Sequence, residues 1–370
     1  MKENYFMGMD GFVWFTGVVE DRNDPSKLGR VKVRCLGLHT ESLVDIPTED
    51  LPWAHIMQST NNPSMQGLGN TPSFLVEGTW VVGFFLDAVE KQQPLIMGTL
   101  PGIPQAVADK TKGFNDPNGT YPSEKITHSN HAIEESDVNR LARNDTDKAH
   151  AVVAAKNTAK TSTVPTANSS TTWNEPDSAY AASYPKNHVL ETESGHIKEY
   201  DDTPYAERIY EKHRSGTFYE IDADGNKVTR VVGQNYEIVA GNQFVNVKGD
   251  VNLTIDSNCK TYIKGDWNIQ VDGNKTEVVK KNVTETYGTE NETHAHTVSV
   301  TGKRAETVSN SVTETYSDTM TQNITGAVTE TYSSTMTQNV TGNVSETYSG
   351  SQSTQVSGNV DIDGARIDLN

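Results

Sequence analysis

Two histidines stand two residues apart in GTENETHAHT (288–297), and no other pair in this chain is better spaced to share a ligand. On a strand, His294 and His296 project from one side, which also carries Val298 and Val300. Imidazole nitrogens suit iron, nickel or zinc, but two of them leave a metal mostly uncoordinated, so the chemistry depends on what brings further ligands to the same point. The other reading is an ordinary solvated pair, both rings turned outward. His196, Asp201, Asp202 and His213 also invite a metal, yet their spacings are irregular, and turn and cap roles suit them better. Glu134, Glu135 and Asp137 could be imagined as a glycosidase pair. A general acid needs a rigid apolar pocket to raise its pKa, and the segment around these carboxylates has almost no apolar residues, which favours a solvated helix face. No nucleophile elbow, phosphate loop or zinc-protease motif occurs.

What must position the histidines is an eight-residue beat from Gly241 to residue 358. Three blocks of sixteen nearly repeat, NSVTETYSDTMTQNIT (310–325), GAVTETYSSTMTQNVT (326–341) and GNVSETYSGSQSTQVS (342–357), and each splits into two octads. Glycines fall at 241, 249, 265 and 273 in one phase, then at 302, 326, 342, 350 and 358 in a second. Two residues before the glycine slot stands an apolar or aromatic residue: Val247, Ile255, Ile263, Val271, Val279 and Tyr287, then Val300, Val308, Tyr316, Ile324, Tyr332, Val340, Tyr348 and Val356. The Thr, Val, Ser, Tyr and Asn between them favour strands, so each octad is predicted as a short strand with a kink, for which Gly supplies backbone freedom.

One or two apolar residues per octad cannot stabilise a lone chain. Three chains wound on a common axis would bury all three stripes and pair their edges, which predicts an intertwined homotrimer. About 15 octads, each advancing one strand spacing, give a rod of about 70 Å. A one-chain β-solenoid stays open as an alternative, although its coils usually run nearer to roughly 20 residues. The beat slips once, between Tyr287 and Tyr316, and the slip falls inside the histidine segment. With the inward slot on a trimer axis, six imidazoles would converge, and six ligands favour iron or nickel, so the expected cofactor is one transition metal ion per trimer, iron favoured.

With 370 residues there is room for two or three domains. Apolar content of 34% and aromatic content of 8% are low for one globular body and fit a fibrous part with a thin core. The formal net charge of −18 makes nucleic acid an unsuitable partner, because phosphate binding needs a basic face. Cys35 and Cys259 are expected as buried free thiols rather than a disulfide framework. MKENYFMGMDGF lacks a sustained apolar stretch of the signal-peptide kind, and no run approaches the length that spans a bilayer.

Residues 12–104 contain five strand-like runs, FVWFTGVVED, GRVKVRCLGL, WAHIMQS, TWVVGFFLD and PLIMGTL, with Trp14, Phe15, Trp80, Phe84 and Phe85 expected in the core. The stretches WFTGVVEDRNDPSKLGRVKVRCLGLH (14–39), IPTEDLPWAHIM (46–57) and VEGTWVVGFFLD (76–87) resemble the N-terminal OB-fold domain of the central spike of contractile phage tails of the T-even type, and the equivalent part of VgrG spikes. GFNDPNGTYPSEK (113–125) is similar to the loop leaving that barrel, and TWNEPDSAYAASYPKNHV (172–189) to the point where the chain returns to the rod. In the T-even spike a lysozyme domain lies between these landmarks. Here about 60 residues separate Pro122 from Tyr184, too few for that fold.

The resemblance implies an all-β architecture: residues 1–104 an OB-fold collar, 105–187 an extended linker with a short helix in HAIEESDVNRLARND (131–145), 188–240 a neck of four short strands, 241–358 a triple-stranded β-helix, and 359–370 a tip. It further implies a non-enzymatic homotrimeric spike in the virion's baseplate, docked on a separate hub protein at the collar and driven through the host outer membrane by sheath contraction. A PAAR-type cap is expected on Ile362, Ile367 and Leu369. His-x-His resembles the octahedral iron site of some phage spikes, although there it lies near the apex and here about 75 residues short of the end. The alternatives are a VgrG-type secretion spike, whose hub region would precede a barrel that here begins by about residue 12, and a receptor-binding trimeric fibre, which would need more than GNVDIDGARIDLN as a tip.

Overall fold

A computed structural model describes residues 13–70, 73–124, 132–144, 161–167, 171–288 and 295–368. The chain divides into two units, 1–266 and 267–370. In the first, strands β1 (Trp14–Asp21), β2 (Val31–Cys35), β3 (Trp53–Ile56), β4 (Trp80–Phe85) and β5 (Pro94–Thr99) close into a barrel in the order β1-β2-β3-β5-β4. All pairings are antiparallel except β3 with β5, the order of an OB-fold. Alternation along the strands sends Phe15, Val19, Val31, Val33, Val81, Phe85 and Ile96 into one core. The strands approach closely where β1 and β4 carry glycine: a Cβ on Gly17 would lie 2.5 Å from the Arg34 carbonyl oxygen, and one on Gly83 2.1 Å from that of Leu95.

The expected aromatic core is corrected in part. Phe15 and Phe85 fill the barrel, but Trp14 is 56% exposed and Trp80 40%. Trp14 pairs across the sheet with Phe84 and Trp80 with Val18, which places both indoles on the outer side, where Trp14 covers Phe84 edge-on at 5.7 Å.

After the barrel comes a linker with little regular structure. The expected helix is one turn, α1 (Arg140–Arg143), capped by the Asn139 side chain accepting from the Leu141 N–H and ended by Asn144 in the left-handed region. A two-residue ladder, β6 (Val164–Pro165) with β7 (Thr172–Trp173), precedes the neck. The neck has five strands rather than four: β8 (Asn187–Glu191), β9 (Ile197–Asp201), β10 (Arg208–Lys212), β11 (Phe218–Ile221) and β12 (Lys227–Arg230), an antiparallel meander in sequence order. Its hairpin turns carry Gly195, Gly216 and Gly225, all at positive φ.

Beyond β12 the described residues pack little on the rest of the chain, although the Thr254 hydroxyl donates to the Pro165 carbonyl at 2.7 Å. Among the described residues of 231–368 none lies in a helix or strand, and all are exposed except Thr254. Instead, the backbone bends on the beat. In the first unit the bends fall at 232–233, 240–241, 248–249, 256–257 and 264–265; in the second they continue from 272–273 and 280–281, resume at 301–302 and recur to 357–358. The beat therefore starts one octad before Gly241. Among the described residues no ladder pairs one octad with another, as the coils of a one-chain solenoid would.

Two expectations about the repeat need correction. Gly241 and Gly342 do not sit at positive φ, a Cβ on either would meet nothing within 4 Å, and Ser257, Lys281, Asp318 and Ser334 occupy the same bend elsewhere. Backbone freedom is therefore not what the bend requires of glycine. Cys35 is buried as expected, but Cys259 is exposed, because its segment has no partner within the chain.

Candidate functional site

The linker is fastened to the barrel by one buried ion pair. Arg34 and Glu20 lie on neighbouring strands and are fully buried, although neither points into the apolar core. The Arg34 guanidinium donates to Glu20 from Nε at 2.6 Å and from Nη2 at 3.0 Å, and to the Thr40 and Ile46 carbonyls at 2.8 and 2.9 Å. Glu20 also accepts from the Thr48 hydroxyl at 2.8 Å and from the Phe114 N–H at 2.7 Å. Gly113 is required there, since a Cβ would stand 2.3 Å from Arg34 Nε. Loops 40–48 and 113–114 are thus held on the outer wall by a pair whose hydrogen-bonding groups are engaged. Asp116 fixes the next turn, accepting from the N–H groups of Asn118, Thr120 and Tyr121.

A second junction joins collar to neck. Arg22, at the end of β1, makes a two-pronged contact with Glu193 in the β8–β9 turn at 2.6 and 3.0 Å and a further one with Glu77 at 3.2 Å. The Tyr121 hydroxyl donates to Glu193 at 3.1 Å. The hydrogen bond from Arg22 holds the Glu193 carboxyl below its ordinary value, while burial pushes the Tyr121 phenol up to about 12.

The returning linker closes one face of the neck through an apolar cluster, Leu141, Tyr180 and Ala182 on Ile197 and Tyr210, and through buried polar contacts. Arg208, buried on β10, reaches Glu199 at 2.7 Å and Glu220 at 3.2 Å, and Asn187 donates to Glu199 at 2.7 Å. Burial pushes the Glu199 carboxyl up and the Arg208 guanidinium opposes it. Glu220 accepts from Ser178 and from the Ala179 N–H, and the Tyr180 hydroxyl donates to the Leu141 carbonyl at 2.6 Å. Collar, linker and neck are therefore tied at several points, where sequence reading had indicated only an extended crossing. Isolated charged residues in alternating strands gave no signal of this pairing.

Of the residues singled out for chemistry, Glu135 is not on a solvated face. It is buried, with Oε1 accepting from Arg140 Nε at 2.8 Å and Arg143 Nη2 at 2.7 Å, whereas Glu134 is exposed. His196 and His213, dismissed on spacing, stand with ring centroids 4.5 Å apart at two neighbouring turns. Each accepts a backbone N–H at Nδ1, from Arg214 and Ser215 respectively, which is the cap role expected of them. Asp201 accepts from Thr203 in a turn. His294 lies outside the described residues, as does Leu369; His296 stacks flat on Tyr287 with centroids 4.1 Å apart. Among the described residues no group of three or more His, Cys, Asp or Glu could hold a metal ion within one chain.

The slot residues of the repeat are uncovered in each unit. Val247, Ile255, Ile263 and Val271, then Val300, Tyr316, Ile324, Tyr332, Val340, Tyr348 and Val356, are each between 44% and 57% exposed, and Ile362 and Ile367 are exposed as well. In four octads the tyrosine hydroxyl donates to the glutamate two residues before it, from Tyr287 to Glu285 at 2.8 Å through Tyr348 to Glu346 at 2.9 Å. Residues two apart share a side of an extended chain, so these carboxylates lie on the same face as the tyrosines.

The family described as the Gp5 N-terminal OB domain matches residues 37–189, from the end of β2 through the linker to β8. Over these residues the chain is similar to a Gp5-type OB domain. It is 46% identical over 280 residues to Protein Gp5 of Vibrio phage KVP40, covering 68% of this chain and 65% of that protein. Over 114 residues it is also 46% identical to the pre-baseplate central spike protein Gp5 of Enterobacteria phage T4, which covers 30% of this chain and 20% of that one. The chain thus spans less than two thirds of the length of either Gp5. These likenesses bear out the OB-fold and the T-even spike resemblance read from residues 14–87.

Proposed function

We propose that this protein is the central spike of a contractile phage tail, located at the centre of the virion's baseplate, and that it works as an intertwined homotrimer. The observation that carries this reading is the uncovered apolar face recurring every eight residues along an extended chain with no partner of its own. Three copies supply the missing partners, burying the slot residues and pairing backbone groups that a lone chain leaves to water. Glycine at the bend then serves the close approach of a neighbouring copy rather than the chain's own conformation. The T4 relative's description as a pre-baseplate central spike supports the same reading.

In this role the collar docks on a separate hub protein, and the rod transmits the thrust of sheath contraction through the host outer membrane. Its tip, residues 359–370 with Ile362, Ile367 and Leu369, takes a small capping protein of the PAAR type. The role is mechanical rather than lytic: Glu135, the one buried carboxylate of the linker segment considered for catalysis, faces two guanidiniums and has no open side for a sugar. The test is mass in solution. Light scattering of the purified protein is expected to give three chains of 40.6 kDa each, and a single 40.6 kDa species overturns the reading.

A further inference from the structure

Under α1 and residues 182–187 the neck sheet buries more hydrogen-bond acceptors than donors. Glu199 Oε1, Asp201 Oδ2, Asn187 Oδ1 and Asn144 Oδ1 are closed off from solvent and accept nothing, whereas Arg208 Nε is the single donor left over among the described residues. Glu199, Asp201, Asn187 and Arg208 are each at most 3% exposed, where an unpaired polar group costs free energy. Pairing registers gather these side chains. Asn187 and Arg208 are both opposite Asp201, and Glu199, two residues from Asp201, shares its side. The Asp202 N–H donates to the Lys186 carbonyl, so Asn187 and Asp201 form a non-hydrogen-bonded pair, the kind whose side chains stand closest. Asn187 Nδ2 donates to Glu199 Oε2 at 2.7 Å, which draws those two together. From above, Asn144 Nδ2 donates to the Ala182 carbonyl at 2.8 Å, and the Ser183 N–H donates to the Thr203 hydroxyl, itself bound to Asp201 Oδ1.

The charges of this patch do not balance either. Glu199, Asp201 and Glu220 are all buried around one guanidinium, that of Arg208. Lys212, the next cation along the face, is level with Glu191 across Ile197 and belongs to that end of the sheet. An excess of buried negative charge calls for a cation or for protons. The leftover atoms indicate which cation. All are oxygens, from carboxylates and amides, with no nitrogen or sulfur ligand, which suits a hard ion rather than a transition metal. Calcium takes several protein oxygens in a flexible geometry, whereas magnesium keeps much of its water. Two carboxylates alone are too few for a site, and the two amide oxygens complete the set. We propose that Asn144, Asn187, Glu199 and Asp201 are the ligands of a calcium ion that clamps α1 and the returning linker onto the neck sheet. All four residues belong to one chain, so the site stands or falls separately from the trimeric reading.

The probe is terbium, which takes calcium's place and emits when a nearby tyrosine is excited. Two tyrosines are at hand, since the Arg208 guanidinium lies 5.0 Å from the Tyr180 ring centroid and 4.7 Å from that of Tyr210. Full-length protein stripped with a chelator should show saturable, tyrosine-excited terbium emission that calcium displaces and equal magnesium does not. Asp201→Asn and Glu199→Gln should each weaken terbium binding at least tenfold. Glu346→Gln should leave it unchanged, which separates the site from the tyrosine and glutamate pairs of the repeat. Absence of emission from the folded parent overturns the proposal, as does emission that survives both substitutions in the neck. Heat stability of the unaltered chain provides a second arm that does not depend on the variants folding. Calcium should raise the melting temperature by several degrees over chelator, and magnesium by less. A melting temperature indifferent to calcium and chelator alike assigns the place to ordered water or a shared proton and also overturns the proposal.

Discussion

At the scale of single residues, the buried charges Glu20, Arg34, Glu135, Glu199 and Arg208 fasten segments of the chain to one another. Arg34 sits in VKVRC, where alternation marks it as an outward residue, and that much was legible. What the sequence did not disclose is that loops 40–48 and 113–114 would fold over it and bury it with Glu20, since contacts between residues 94 apart leave no local pattern. The pair keeps its stability only while both partners are present. Glu20→Gln leaves a buried guanidinium without its counter-charge and should destabilise the collar by about 3–5 kcal/mol. Tryptophan fluorescence against denaturant, which reports the collar through Trp14, Trp53 and Trp80, is expected to show a clearly lower midpoint. A midpoint within error of the parent chain would mean that the linker is held some other way. Asp24 is likewise buried, in the turn after β1 of the same domain, where the hydrogen bond from Arg30 holds its carboxyl well below the usual range. That contribution is present above about pH 4 and fades only as the pH falls through the depressed value.

Among the elements, legibility followed period. The barrel strands announce themselves through alternation and stand where the spacing put them, whereas the octads, expected as short strands, show their period only as bends, with no strand among the described residues of 231–368. The neck was under-read by one strand because KVTR is short and polar, and its place in the sheet comes from register with β11 rather than from its own composition. In the repeat the spacing of the bends follows the period, but the bends do not rely on glycine, since Gly241 and Gly342 are not at positive φ. Cys259 turns this distinction into a measurement. It stands an even number of residues before Ile263 in the run between the bends at 256–257 and 264–265, and so shares its side, and in the lone chain its thiol is open to solvent. Cys35 is shut inside the barrel, where burial pushes its thiol up to about 12. In a native trimer neither thiol should react with Ellman's reagent on the minutes timescale, and both should react after denaturation. One fast equivalent per chain in the native protein would place the face of Cys259 outside any interface.

For the whole molecule the consequence is kinetic. Residues beyond Arg230 have no sheet or core of their own among those described, so in the proposed trimer that part of the chain would gain its hydrogen bonds and apolar burial only on association. Folding of that part and assembly are then one process. Its rate should rise with protein concentration, because the ordering entropy of each octad is recovered only when other copies arrive. The reverse process meets a different barrier: a strand shared among three chains cannot leave until its neighbours have opened along their length, so dissociation is slow and independent of concentration. Unfolding and refolding curves in guanidinium, each read after the same hour of incubation, should therefore fail to superimpose. The refolding limb should move to higher denaturant as the protein concentration is raised, while the unfolding limb stays fixed. Superimposable, concentration-independent curves would show that the repeat folds within one chain, and the mechanical reading would fail with it, since a rod that reopens freely could not carry the thrust of a contracting sheath.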